Sequence, residues 1–256
     1  SIKNLSDITF LPVEFFRKHK IVSGSRPVEM IFESSGTTSD LTSRHYVSDL
    51  SLYEKSFTSA FSFFYGEPSG YCIVALLPSY TERKNSSLVY MMNRLIEQSG
   101  HPGSGFYKDD PEHLIAGIRE IKNEKKNILL LGVTFALLDL ARNFSPDLNG
   151  VIVMETGGMK GRSKELIREE LHSILKDHLN ISSVHSEYGM TELMSQAYSK
   201  GEGIFHTPPW MKILIRDPHV PLSVSSEPGV TGGINIVDLA NINSCSFIAT
   251  GDLGRL

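Results

Sequence analysis

Only two of the 256 residues are cysteine, Cys72 and Cys245, and both sit in apolar, strand-like stretches without metal-binding spacing. That excludes a disulfide scaffold and a cysteine-ligated metal centre, and it fits a reducing, cytoplasmic setting. Charge of one sign is scarce too: 25 Lys and Arg stand against 29 Asp and Glu, a net charge of −4, with no basic block. A general nucleic-acid binder or a polybasic membrane binder is thereby disfavoured. No run reaches the roughly 18 uninterrupted apolar residues that cross a bilayer. The N-terminus lacks the basic-then-apolar pattern of a secretory signal. There are no internal repeats, no low-complexity tracts and no Gly-Lys-Ser/Thr ending of a Walker loop. The chain opens on Ser1 rather than Met and stops on Thr250-Gly251-Asp252-Leu253-Gly254-Arg255-Leu256, so a piece of a longer protein is expected.

What is present is regular. The length suffices to bury a large core, as one sizeable domain or one plus a fragment. Residues 1–25 carry a short apolar segment from Phe10 to Phe16 that reads as a helix on the main body. Ser48 or Asp49 caps a helix whose Leu52, Phe57, Ala60, Phe61 and Phe64 mark one face, ended by Gly66 and Pro68. The Phe side chains suit either core packing or the wall of an acyl tunnel. Four apolar strands follow, at 71–77, 128–131, 151–154 and 182–186, alternating with helices around 88–98, from Pro111, at 134–142 and at 164–178. Continuous apolar strands alternating with helices predict an α/β fold, a parallel sheet flanked by helices. From 205 the pattern changes to alternating runs at 211–215, 233–237 and 245–249, a smaller antiparallel β-region. The expected division is therefore 1–204 as an α/β core and 205–256 as a β-rich subdomain.

In parallel sheets ligands bind beyond the carboxyl ends of strands, and four segments there carry chemistry. After the alternating Val28-Met30-Phe32 comes Ser34-Ser35-Gly36-Thr37-Thr38. Its amides, its hydroxyls and the backbone freedom of Gly36 suit a phosphate, though a solvated Ser/Thr turn has the same composition. Gly157-Gly158 lets a flat ring lie against the backbone, or simply ends a strand. In Tyr188-Gly189-Met190-Thr191-Glu192, Tyr188 offers a flat face, Thr191 a hydroxyl for phosphate and Glu192 a hard oxygen for Mg²⁺. A capped strand-to-helix turn would look similar. Asp252 of Thr250-Gly251-Asp252 can accept ribose hydroxyls, or sit in an ordinary β-turn.

Taken together and in this order, the four segments resemble the adenylate-forming superfamily of acyl-CoA synthetases, luciferases and peptide-synthetase adenylation domains. The likeness implies that Ser34, Ser35, Gly36, Thr37 and Thr38 form the phosphate loop and Gly157 and Gly158 the adenine wall. It makes Tyr188, Gly189, Met190, Thr191 and Glu192 the adenine, phosphate and magnesium motif, and Asp252 the ribose ligand. Within the superfamily the chain is similar to acyl-protein synthetases of bacterial bioluminescence operons (LuxE-type), with phenylacetate–CoA ligases as the nearer cousins. Phe10–Phe16, Leu77-Pro78-Ser79-Tyr80 and Glu155–Arg162 carry that finer likeness. The fold it implies is the large N-terminal domain of an adenylate-forming enzyme, without the smaller C-terminal lid.

The implied activity is ATP- and Mg²⁺-dependent activation of a carboxylic acid, with a fatty acid as the substrate class. Transfer to a thiol follows. Thr191 and Glu192 would be catalytic and Glu192 would ligate the metal. Neither Cys72 nor Cys245 is a convincing acceptor, so the thiol is expected on a cysteine outside this chain, on CoA or on a carrier protein. An acyl-CoA ligase and a non-catalytic nucleotide- or acyl-binding relative are the alternatives. Two departures stand out: the loop continues Ser39-Asp40-Leu41-Thr42 without the usual lysine, and the lid is missing. Arg44 supplies a substitute cation or is a strand-edge charge. His185 lines the acyl pocket or is an ordinary strand residue, and His206 reads as a loop residue.

Overall fold

The computed structural model describes residues 5–35, 42–78, 82–108, 110–157 and 166–256. The first half of the chain forms β1 (Leu11–Pro12), α1 (Phe15–Lys18), β2 (Met30–Glu33), β3 (Arg44–Val47), α2 (Leu50–Tyr65), β4 (Tyr71–Leu76), α3 (Ser87–Ser99), β5 (Gly105–Phe106), α4 (Pro111–Asn123) and β6 (Asn127–Val133). The second half forms α5 (Thr134–Phe144), β7 (Ile152–Thr156), α6 (Arg168–Leu179), β8 (His185–Tyr188), β9 (Ala197–Ser199), β10 (Phe205–His206), β11 (Met211–Arg216), β12 (Val224–Ser225), β13 (Thr231–Asp238) and β14 (Phe247–Arg255). These fall into two compact units. One comprises residues 1–56, 190–195 and 207–256; the other comprises 57–189 and 196–206. Residues 1–56 thus group with 190–195 and 207–256.

The second unit is built on a seven-stranded sheet in the order β10-β9-β8-β7-β6-β4-β5. From β5 through β8 neighbouring strands run parallel, and β9 and β10 return antiparallel. All of β4 and nearly all of β6 is buried, which is why both strands are uninterrupted apolar runs. Cys72, Val74, Leu130 and Val153 from the strands share one core with Ile118, Leu137 and Leu175 from the helices. The helix starts follow local rules. The Asp110 side chain accepts the His113 N–H with Pro111 in the first turn, and Ser86 caps α3 through the Val89 N–H. Phe57 and Phe61 are fully buried, so that face of α2 is core. The fourth strand is His185–Tyr188, displaced from the expected 182–186, and the helix expected at 164–178 begins at Arg168 among described residues.

The first unit holds a five-stranded sheet, β1-β14-β13-β11-β12, and the separate antiparallel hairpin β2–β3. Asp49 starts α2 by accepting the Leu52 N–H at 3.0 Å, as expected of a cap. The segment read as a helix in residues 1–25 is instead β1 followed by a four-residue helix, because Leu11 and Pro12 pair parallel with Ile248 and Ala249. Local pattern cannot register so distant a partner. The last strand does not stop before Thr250 but runs to Arg255. Gly233 pairs Leu253 and Asn235 pairs Ala249, so Thr250, Gly251 and Asp252 together face Ile234 alone. The expected ribose motif is therefore a β-bulge, a device that re-aims a side chain within a strand. Among the described residues no helix is long and apolar enough to cross a membrane.

Candidate functional site

In the first unit, Thr191 and Glu192 lie on the segment 190–195, which has neither helix nor strand. Apart from a turn bond from the Leu193 N–H to the Met190 carbonyl at 3.1 Å, its backbone polar groups need partners from elsewhere. Asp238, fully buried at the end of β13, accepts the Met194 N–H at 2.8 Å and the Ser195 hydroxyl at 2.6 Å. Trp210 Nε1 donates to Ser195 Oγ at 3.0 Å and also reaches Ser56. Asn241 donates Nδ2 to the Glu192 carbonyl at 2.8 Å. The buried His45 ring on β3 places Nδ1 2.9 Å from the Thr191 carbonyl and Nε2 3.1 Å from Asn241 Oδ1. Burial pulls His45 down to about 4, against the opposite pull of the Thr191 carbonyl and Asn241. A neutral imidazole has one N–H, so near neutral pH it donates to one of the two oxygens at a time.

Glu192 is buried. Burial pushes its carboxyl above the ordinary range; a Ser43 hydrogen bond and the Arg17 charge oppose this, and the negative charge of Asp252 adds to it. Asp252 is exposed on the bulge, its N–H 3.2 Å from Thr250 Oγ1, and Arg216 fixes the bulge by donating to the Thr250 carbonyl at 3.0 Å. Thr191, Glu192 and Asp252, expected from the sequence to act together, therefore belong to one unit, with Glu192 and Asp252 in electrostatic reach of each other. Ser34, at the end of β2, bonds Ser43 from both sides: its N–H donates to the Ser43 carbonyl and its Oγ accepts the Ser43 N–H, each at 3.0 Å. Ser35 is exposed beyond it. Gly36, Thr37 and Thr38 lie outside the described residues, as does Gly158. Arg44 opens β3 opposite Glu33, with Nε 3.9 Å from its carboxylate.

In the second unit, Gly157 follows β7 with φ +76°, a left-handed conformation that glycine adopts at little cost. Tyr188 ends β8 half-buried and meets Phe205 edge-on, centroids 6.1 Å apart. Gly189 follows it. Beneath these lies a buried polar network to which the sequence reading assigned no role. Thr134 donates to Glu155 at 3.1 Å and Thr156 to Glu187. Arg168 Nη1 stands 3.3 Å from Ser186 Oγ and 3.6 Å from Glu155, while its guanidinium covers the Phe205 ring at 5.0 Å. His172 Nε2 is 3.9 Å from Glu155, an electrostatic contact too long for a hydrogen bond. Burial pushes Glu155 up, but His172, Ser186, Arg168 and Thr134 outweigh it and hold the carboxyl below its usual value. Burial lifts Glu187 to about 7, the Thr156 hydroxyl opposing and the Glu155 charge adding. The available signal was carboxylates and hydroxyls at the ends of apolar strands, where burial demands partners.

Neither a protein-family model nor a curated protein matches the sequence. Solved structures do. McyG A-PCP complexed with phenylalanyl-adenylate superposes with a TM-score of 0.60 at 13% identity, over 91% of this chain and 46% of that one. A 2-hydroxyisobutyryl-CoA ligase in complex with 2-HIB-AMP and CoA gives 0.55 at 12% identity, over 89% and 52%. The R395G form of coronafacic acid ligase from Pectobacterium brasiliense gives 0.51 at 18% identity, over 80% and 40%. The chain spans about half the length of the structures it matches. At these identities the likeness shows the fold alone, and it is the expected α/β fold, a parallel sheet flanked by helices beside a smaller antiparallel sheet.

Proposed function

We propose that this chain activates a carboxylic acid with ATP, as an acyl-adenylate, and passes the acyl group to a thiol. The observation that carries the reading is the Tyr188–Glu192 motif on a fold shared with structures that hold adenylates, its Glu192 within electrostatic reach of Asp252. Ser34, Ser35, Gly36, Thr37 and Thr38 are assigned to the β- and γ-phosphates, Thr191 to the α-phosphate and Asp252 to the ribose. Tyr188 and Gly189, with Met190, Gly157 and Gly158, are assigned to adenine. A carboxylate oxygen of the acid attacks the α-phosphorus, the bond to the bridging oxygen breaks, and pyrophosphate leaves. A thiolate then attacks the acyl carbon and AMP leaves.

The residues fit a magnesium ion. Glu192 is a buried hard-oxygen donor whose charge is disfavoured by burial and by Asp252, and a divalent cation would reverse that penalty. One or two carboxylates suffice, since Mg²⁺ takes its remaining ligands from water and phosphates. Bound there, the ion would neutralise phosphate charge. Thr191 and the loop hydroxyls would supply donors where charge develops, the main source of catalysis in phosphoryl chemistry.

The sequence likeness to acyl-protein synthetases makes a fatty acid the substrate class. A second reading, CoA as the direct acceptor, draws on the thiols themselves. Cys72 is fully buried with its thiol pushed up by burial, and Cys245 donates to the Phe247 carbonyl. Carboxylate-dependent ATP–pyrophosphate exchange, run on the longest natural form of the chain with long-chain, short and aryl acids, tests the proposal. Exchange with one class supports it and names the acid. ATP binding without exchange for any acid overturns it in favour of a non-catalytic nucleotide binder.

A further inference from the structure

We infer that His45 is a positioning residue that, with Asn241, sets the orientation of Thr191 and Glu192; its consequence for turnover rests on the adenylation reading. The segment 190–195 makes no ladder bonds; one turn bond, from the Leu193 N–H to the Met190 carbonyl at 3.1 Å, closes around Thr191 and Glu192, and the rest of its path is set by what grips it. One end is gripped by Asp238 through Met194 N–H and Ser195 Oγ. At the other, two consecutive carbonyls are gripped by one pair of side chains: Thr191 O by His45 Nδ1 and Glu192 O by Asn241 Nδ2. His45 Nε2 also lies 3.1 Å from Asn241 Oδ1, so the two grips adjoin; the ring's single proton serves one oxygen at a time, and the tautomer protonated at Nδ1 is the one that grips Thr191.

The His45 ring cannot drift. It is 1% exposed and stands perpendicular to Phe16, centroids 5.7 Å apart. Its backbone lies in β3, which pairs antiparallel with β2, and Ser34 and Ser43 bond each other just beyond the paired residues. The ring therefore links the base of the candidate phosphate loop to the segment bearing the candidate α-phosphate and metal ligands. Together with the Met190–Leu193 turn bond, the grips on the carbonyls of 191 and 192 hold the backbone dihedrals there, and those dihedrals aim the Thr191 hydroxyl and the Glu192 carboxyl. His45 need touch no substrate to matter.

The test uses His45→Leu, which keeps volume but removes both ring contacts, and His45→Asn, whose amide can restore the donor to Thr191 O. In nucleotide-free protein, amide hydrogen exchange across 190–195 should rise roughly tenfold or more in His45→Leu, with β6 unchanged. Pyrophosphate exchange should lose roughly 10- to 100-fold in kcat, as for residues that orient a metal ligand. KM for the acid should stay within about twofold, since the group lost binds no substrate, and His45→Asn should recover much of the rate. Should His45→Leu fail to fold, Asn241→Leu gives the same readouts from the other half of the link. Unchanged protection at 190–195 overturns the inference whatever reaction the protein performs. Altered protection with an unchanged rate overturns it too, leaving His45 a packing residue. Absence of exchange in the wild type overturns the adenylation reading instead, and protection then decides the positioning role alone.

Discussion

Gly189 stands so close to the Glu187 carboxyl that a Cβ at position 189 would collide with Oε1. The carboxyl cannot easily retreat, because it is buried and takes the Thr156 hydroxyl. Gly189→Ala should therefore cost about 1–3 kcal/mol of stability, the usual price of overpacking, read as a lower urea midpoint. A midpoint equal to wild type would mean that Glu187 swings away freely.

Glu187 also gives the fold a pH dependence. Its folded value, about 7, lies above the ordinary 4.5, so the native state holds this proton more tightly than the unfolded chain. Its contribution is fully present below about 4.5 and is lost as pH rises through 7. His45, held near 4, acts with the opposite sign: its contribution falls away as pH drops from 6.5 toward 4. Wild-type curves thus mix two trends. Glu187→Gln should remove the alkaline loss, giving a stability at pH 8 relative to pH 5 higher than wild type in denaturant titrations. An identical pH profile would rule out the raised value.

Removing the candidate catalytic contacts should act on rate and leave the fold. Thr191→Ala and Glu192→Gln should each lower carboxylate-dependent pyrophosphate exchange by roughly 10²–10³-fold, the effect of deleting one fixed group at developing charge. Thermal melts should shift by only a few degrees. Wild-type rates in both would sink the assignment of the site.

The two thiols should be dispensable. Cys72→Ser and Cys245→Ser together should retain wild-type pyrophosphate exchange, and Cys72 should react with a thiol reagent only on unfolding, since it is fully buried. An acyl group trapped on either cysteine would place the acceptor inside this chain.

The parallel core was legible because its strands are buried on both faces and therefore apolar throughout, as Tyr71–Leu76 shows. The strand His185–Tyr188 was misplaced because its Ser186 and Glu187 are polar yet buried, their cost offset by partners on β7 and α6. The two-residue strand Leu11–Pro12 exists only through its pairing with residues more than two hundred positions away. For the site, the motif segments were visible as hydroxyl, glycine and acid clusters. The grip of His45 and Asn241 was not, since a histidine in a strand and an asparagine in a turn signal nothing until the fold brings them together. Thr250–Asp252 was seen as a motif but not as a bulge, because its shape depends on Ile234 in the strand opposite.

The pairing of Leu11 with Ile248 bears on how the nascent chain matures. Synthesis is vectorial, and at roughly 5–20 residues per second the first strand waits on the order of ten seconds or more for its partner to leave the ribosome. The seven-stranded sheet needs nothing beyond His206 and can close in the meantime. Residues 11 and 12 therefore leave the ribosome well before the strand they pair with, and Phe10, whose core partners Leu214 and Val237 come later, stays unsheltered in between. That interval is when a chaperone would find this chain.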